Sequence, residues 1–165
     1  MMKKSLLALG TFFILSTGTG FAAPLNNLGT EETAVGISSD TIYIEHKLGD
    51  RFTLGYQSID RDYYGDMKDF YGQYQFSDNL RGIIGHRDFD YDDSSLYLGL
   101  GLHGPLAPKL DGFASFIAGD EFNEFQVGAG YQLAANLDLN VTYSNFMPDH
   151  GRDKDEVAVG ATFKF

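Results

Sequence analysis

Cysteine is absent from this 165-residue chain. Disulfides, thiolate metal sites and cysteine nucleophiles are thereby excluded, and so is acylation of a lipoprotein cysteine. Proline is scarce, with four residues. Basic residues are few: 12 Lys and Arg stand against 23 Asp and Glu. A domain this acidic does not engage nucleic acid through phosphate contacts. Long apolar runs are also missing. The one apolar stretch, Ser5 to Leu15, follows the basic Met1 to Lys4 and precedes the small residues Thr17 to Ala23. That run is too short for a membrane-spanning helix and has the layout of a secretory signal peptide. Gly20 and Ala22 place the expected cleavage after Ala22. Residues 1–22 are then the leader, 23–31 a periplasmic N-terminal segment and 32–165 the folded domain. Without Lys3 and Lys4 the exported chain carries a net charge of about −13.

The exported part instead has many Gly, Tyr and Phe residues and a pervasive period of two. In Glu124 to Leu133, Phe125, Val127, Ala129, Tyr131 and Leu133 oppose Glu124, Gln126, Gly128, Gly130 and Gln132. Leu137 to Asn145 repeats the pattern. Leu96, Leu98, Leu100 and Leu102 alternate with Tyr97, Gly99, Gly101 and His103, and Val157 to Phe165 alternates to the end of the chain. Such alternation means strands with one apolar and one polar face. Thr41–Leu48, Arg51–Ile59, Asp69–Phe76, Leu80–Arg87 and Lys109–Ala118 read as further strands, although the faces of Leu80–Arg87 are hard to separate. The connections alternate in kind. Gly49-Asp50, Ser77 to Asn79, Pro105 to Pro108 and Ala134 to Asn136 are short. Arg61–Lys68, Asp88–Asp93, Gly119–Asn123 and Pro148–Asp155 are mostly longer and more charged. Bacterial outer-membrane barrels have short periplasmic turns and longer outer loops. Nine strands from Thr41 to Phe165, the last running inward, require one more outward strand, and Glu32–Ser38 with a tight turn at Ser39-Asp40 supplies it. The expected fold is all-β: a closed antiparallel up-and-down transmembrane barrel of ten strands. Eight is the alternative, if the first hairpin lies outside the wall.

A soluble barrel also alternates, with its apolar face inward. Two features besides the loop asymmetry favour the membrane. Tyr43, Phe52, Tyr56, Phe70, Tyr74, Phe76, Tyr131, Tyr143 and Phe163 sit largely near strand ends, where interfacial girdles form. The chain also stops at an aromatic residue. Ala158 to Phe165 resembles the C-terminal assembly signal of outer-membrane proteins, carried by Gly160, Phe163 and Phe165, with Ala158 departing from the usual polar first position. The whole exported chain resembles the small OmpA/OmpX-like barrels. That resemblance implies assembly by the outer-membrane barrel machinery, and lipid and lipopolysaccharide as surroundings. The class includes structural, adhesive and pore-forming members, so fold alone leaves function open.

If the polar face lines a lumen, Glu45, Lys47, Arg51, Arg81, Lys109, Asp111, Asp138 and Lys164 fall toward its periplasmic end. Mixed charges in a narrow barrel are expected to pair as an ionic plug, with Tyr71, Gln73, Gln75 and Tyr97 filling more of the space. The alternative is a selectivity constriction in a small passive channel. Gly99, Gly101, Gly128 and Gly130 either leave room or admit bulky neighbours. Sixteen of the 23 acidic residues lie at or beside the outer loops, Asp62, Asp69, Glu124 and Glu156 among them. They read as a solvated repulsive surface. Asp88, Asp90, Asp92 and Asp93 form a weak candidate cation site, because hard cations prefer clustered carboxylates. It lacks the glycine and the final Glu of a calcium loop. His150, between Asp149 and Asp153, is the best outer-loop base, and no protease or deacylase motif surrounds it. The expectation is a non-enzymatic monomer with no catalytic residue, cofactor or dedicated metal; the minor alternative is an outer-membrane hydrolase or acyltransferase.

Overall fold

In the computed structural model residues 25–61 and 65–165 are described; the expected leader and Asp62 lie outside them. Ten strands follow one another: β1 (Thr33–Ser38), β2 (Thr41–Leu48), β3 (Phe52–Arg61), β4 (Gly65–Gln75), β5 (Leu80–Phe89), β6 (Ser95–Ala107), β7 (Leu110–Gly119), β8 (Phe122–Ala134), β9 (Leu137–Pro148) and β10 (Lys154–Lys164). Each pairs antiparallel with its sequence neighbours, and β1 pairs with both β2 and β10, so the sheet closes into a barrel. The eight-stranded alternative is therefore excluded, because the first hairpin is part of the wall. Closure leaves no unpaired edge. The last residue completes it: Phe165 N–H donates to Thr33 O (2.9 Å) and Thr33 N–H to Phe165 O (2.8 Å).

The two rims differ less than the charge pattern suggests. At one rim, here the turn end, the connections are residues 49–51, 76–79, 108–109 and 135–136. At the other, the loop end, residues 90–94 and 149–153 are the longest connections, and β7 passes to β8 through residues 120–121 alone. The strands run into the expected loops because their backbone ladders continue there. Asp149 N–H still donates to Glu121 O, and Asp60 N–H to Asp40 O. At the turn end β6 extends through Pro105 to Ala107 with a bulge, where a turn was expected to start at Pro105.

Alternation has an unambiguous sense in three dimensions. Outward positions are apolar and exposed: Ile42 and Ile44, Ile84, Leu96 to Leu102 at every second residue, Val141 and Val157. Inward positions are polar and buried: Glu45, Gln57, Asp69, Gln73, Arg87, Glu124 and Gln126. Of the aromatic residues expected to form girdles, the other eight are exposed on the outer wall, whereas Tyr43 is buried inside. Its register position beside Glu45 and Thr41, all odd-numbered on β2, turns it into the lumen. There its ring lies over Gly36, the residue paired with it on β1. Tyr71 over Gly55 and Tyr97 over Gly85 repeat the arrangement, and Phe113 packs on Gly128. A side chain at any of these glycines would meet an aromatic ring. The glycines thus let bulky neighbours lie flat along the lumen wall.

Candidate functional site

Among the described residues, the lumen gathers charged side chains out of water. Its strongest feature is a triad that the sequence pattern did not single out. Arg87 on β5 donates from Nε to Asp69 Oδ1 (2.6 Å) and from Nη2 to Asp69 Oδ2 (2.7 Å), and from Nη1 to Glu124 Oε2 (2.6 Å). All three side chains are 0% exposed. Asp69 and Arg87 face each other in register across β4 and β5, whereas Glu124 reaches in from β8. Gln57 Nε2 adds a bond to Asp69 Oδ2 (2.7 Å), and the Phe122 ring lies 4.5 Å from the guanidinium carbon. The fork of two parallel bonds is the strongest arrangement available to a carboxylate. In a dry interior it offsets much of the desolvation cost of burying three charges.

On the loop side of this ionic layer large apolar side chains gather inward, among the buried polar Ser38, Thr41, Ser95 and Glu156. Ile59, Met67, Ile117, Phe122 and Phe146 are buried there with Phe89 packed against them. Phe122 stacks between Phe89 (5.7 Å) and Phe146 (5.6 Å). The apolar side chains thus form a lid over the ion triad on its loop side. Asp69, Glu124 and Glu156, assigned from sequence to the acidic outer rim, all belong to the buried interior. Their strands start closer to the loop end than expected, so these acids sit one turn of the alternation inside. Glu156 pairs with Lys154 (2.9 Å).

The turn-end half is more open. Three neutral donors converge on the buried Glu45: Tyr71 Oη and Gln73 Nε2 at 3.0 Å on Oε1, and Asn26 Nδ2 at 2.6 Å on Oε2. Arg81, also buried, donates to Gln73 Oε1 (3.0 Å) rather than to Glu45 directly. Lys164 pairs with Asp138 at 2.6 Å. Lys47 donates to Leu28 O (3.0 Å) and Gln75 Oε1 (3.3 Å). Of the residues expected to form a plug, Glu45, Lys47, Arg81, Asp138 and Lys164 thus make polar contacts here, more with amides and tyrosine than as ion pairs. Arg51, Lys109 and Asp111 are exposed at the turn-end rim, Arg51 and Lys109 in turns, and Lys109 and Asp111 border the chamber that opens there. Beside the network lies a chamber of about 460 Å³ bordered by His103, Asp111, Phe113, Asp138 and Lys164. Gly130 borders this chamber, so the expected room is there, while Gly101 faces Leu25.

Leu25 is itself unexpected in this place. The N-terminal segment does not trail from the rim; it enters the barrel. Leu25 is buried in the same apolar cluster as Tyr71, Ile83 and Tyr97, and Leu28 is buried nearer the rim. Its signal in sequence is faint, because a four-residue insert has no periodicity to read.

At the loop end the four aspartates of the candidate cation site are exposed. Asp90 Oδ2 accepts from the Asp66 backbone N–H (3.1 Å) and Asp88 lies 3.5 Å from His86. Among the described residues no three acidic or histidine side chains are gathered to hold a metal. His150 is exposed in the connection before β10, beside a small cleft formed with Asp92 and Glu121.

No protein-family model and no curated protein matches the chain. Among solved structures it is similar to a barrel from a study titled "De novo design of transmembrane beta-barrels", at 17% identity and a TM-score of 0.43, over 85% of this chain and 100% of that one. It is similar also to the N-terminal β-barrel domain of Pseudomonas aeruginosa OprF, at 12% identity and a TM-score of 0.41, over 84% and 100%. A mutant porin of Rh. blastica gives 17% identity and a TM-score of 0.42, over 76% of this chain and 43% of that one. Similarity this low identifies neither a family nor an activity.

Proposed function

We propose that this chain is a small monomeric barrel of a bacterial outer membrane with a closed lumen, acting as a structural or surface-exposed element rather than as an enzyme. The observation that carries the reading is the inversion of the barrel. Large apolar side chains cover its outer wall, while arginine, carboxylates and amides fill its interior. In water that arrangement exposes the apolar face; in hydrocarbon the wall meets its like, a closed barrel satisfies every backbone group internally, and the interior charges rely on partners inside the lumen. Lipid and lipopolysaccharide would then surround the wall, and the acidic loop end would face outward. Gly160, Phe163 and Phe165 would be read by the assembly machinery before β10 closes on β1. The apolar lid and the Arg87 triad support closure against ion flow.

Single-channel recording in planar bilayers tests this. The expected result is a quiet membrane; steady, reproducible conductance steps would overturn the closed lumen and favour the passive channel. The turn-end chamber of about 460 Å³ is the feature that speaks for such a channel.

A further inference from the structure

We propose that the turn-end chamber is a binding seat for a short peptide, occupied in this structure by the chain's own Leu25–Leu28 and open to exchange with peptide supplied from outside. The segment is held in the way a bound peptide is held, by side chains of the barrel reading its main chain and its side chains separately. Leu25 fills an apolar socket whose floor is Gly101: a Cβ there would lie 2.7 Å from Leu25 Cδ1. The Asn26 amide donates to Glu45 Oε2 (2.6 Å) and to Tyr43 Oη (3.2 Å). Two ammonium groups read carbonyls: Lys164 that of Asn27 (3.4 Å) and Lys47 that of Leu28 (3.0 Å). Socket, amide site and carbonyl donors follow one another along four residues. They specify a peptide of the order apolar, amide, any residue, apolar.

The barrel is complete without the segment, since β1 starts at Thr33 and pairs with β2 and β10. Departure of Leu25–Leu28 therefore breaks no ladder. It takes the Asn26 donor from Glu45 Oε2 and one carbonyl each from Lys47 and Lys164, which keep Gln75 and Asp138, and an unsatisfied buried carboxylate oxygen is costly. The empty seat consequently favours any donor-bearing peptide of similar shape over water. The adjoining space of about 460 Å³, open at the turn end, gives the route by which one segment leaves and another enters. The proposal goes beyond closure of the lumen: the seat lies on the turn side of the triad, so exchange need not open a conducting path.

Absence of cysteine allows a direct test on the full chain in detergent micelles. A single thiol from Leu25→Cys is labelled with a bulky maleimide, with exposed Asp50→Cys as the reference. Labelling at position 25 is expected to be slower by roughly tenfold or more, because it requires the segment to leave. The acetylated, amidated peptide Leu-Asn-Asn-Leu at about 1 mM, a concentration suited to weak seats, is expected to raise that rate severalfold and saturably. The permuted peptide Asn-Leu-Leu-Asn is expected to leave it unchanged. Leu28→Cys repeats the measurement if the first variant does not fold, as judged by heat-dependent gel mobility. Labelling as fast as at position 50, or a rate indifferent to millimolar peptide, overturns the proposal. A barrel that conducts in bilayers but still shows peptide-dependent labelling retains it while losing the closed-lumen reading.

Discussion

Replacing Arg87 by methionine is the sharpest test of how the lumen is held together. The substitution keeps the long flexible stem and removes three charge-assisted hydrogen bonds, two to Asp69 and one to Glu124. It leaves two carboxylates at 0% side-chain exposure with Gln57 and Tyr97 as remaining donors to Asp69. Removing one partner of a buried ion pair typically costs about 3–5 kcal/mol, most of it the penalty of the stranded charge. Loss of the guanidinium from above Phe122 adds about 0.5–2 kcal/mol. With a urea slope of about 2 kcal/mol/M, a loss of about 4 kcal/mol lowers the unfolding midpoint by about 2 M. Tyrosine fluorescence in micelles follows it, since the chain has ten Tyr and no Trp. A second variant separates charge from shape. Adding Asp69→Asn and Glu124→Gln to Arg87→Met removes every net charge and keeps an acceptor for Gln57. It is expected to recover most of the loss, to within about 1–2 kcal/mol of the parent, because buried ionic clusters are often replaceable by neutral groups. A loss below about 1 kcal/mol for the single variant, the range of solvated surface pairs, would show that the triad is wet. A neutral triple variant as unstable as the single one would show that packing, not charge, is what Arg87 supplies.

Four further outcomes follow from the same geometry. Leu98→Arg, on the outer wall of β6, is expected to cost about 2–4 kcal/mol for folding into lipid vesicles, whereas Ser58→Arg nearer the loop end costs about 0–1 kcal/mol; equal costs would argue against a membrane around the barrel. Gly36→Val places a branched side chain under the Tyr43 ring and is expected to lose about 1–3 kcal/mol by overpacking, read from the urea midpoint. Removal of Phe165 deletes both backbone bonds to Thr33, so a smaller heat-modifiable fraction is expected after refolding. Gly101→Val narrows the socket of Leu25, and in the Leu28→Cys background, which keeps that leucine, it is expected to speed thiol labelling by about tenfold, as overpacking of about 1–3 kcal/mol allows.

The architecture was readable because a barrel wall is a local pattern repeated. Alternation in Leu96 to His103 or Val157 to Phe165 states the facing of each residue directly, and the direction of the last strand demands the short β1. Leu80–Arg87 resisted reading because both of its faces contain apolar residues and glycine: Arg81, Ile83, Gly85 and Arg87 point in, while Gly82, Ile84 and His86 point out. Arg87, the central residue of the lumen, was hidden in that ambiguous strand. The meeting of lumen charges depends on stagger between strands distant in sequence. Glu124 and Arg87 are 37 residues apart, and nothing in either strand announces the other. Rim charges were over-assigned for a related reason. Period two tells which side of the wall a residue faces but not how far along the barrel axis the wall extends. Arg51, Lys109 and Asp111 are exposed at the rim, while Asp69 and Glu124 are buried just inside it. A displacement of one inward position, roughly 7 Å along a strand, converts a solvated carboxylate into a buried one that must find a cation. The ionic layer therefore forms from charges that the strand lengths, rather than the composition, commit to the interior.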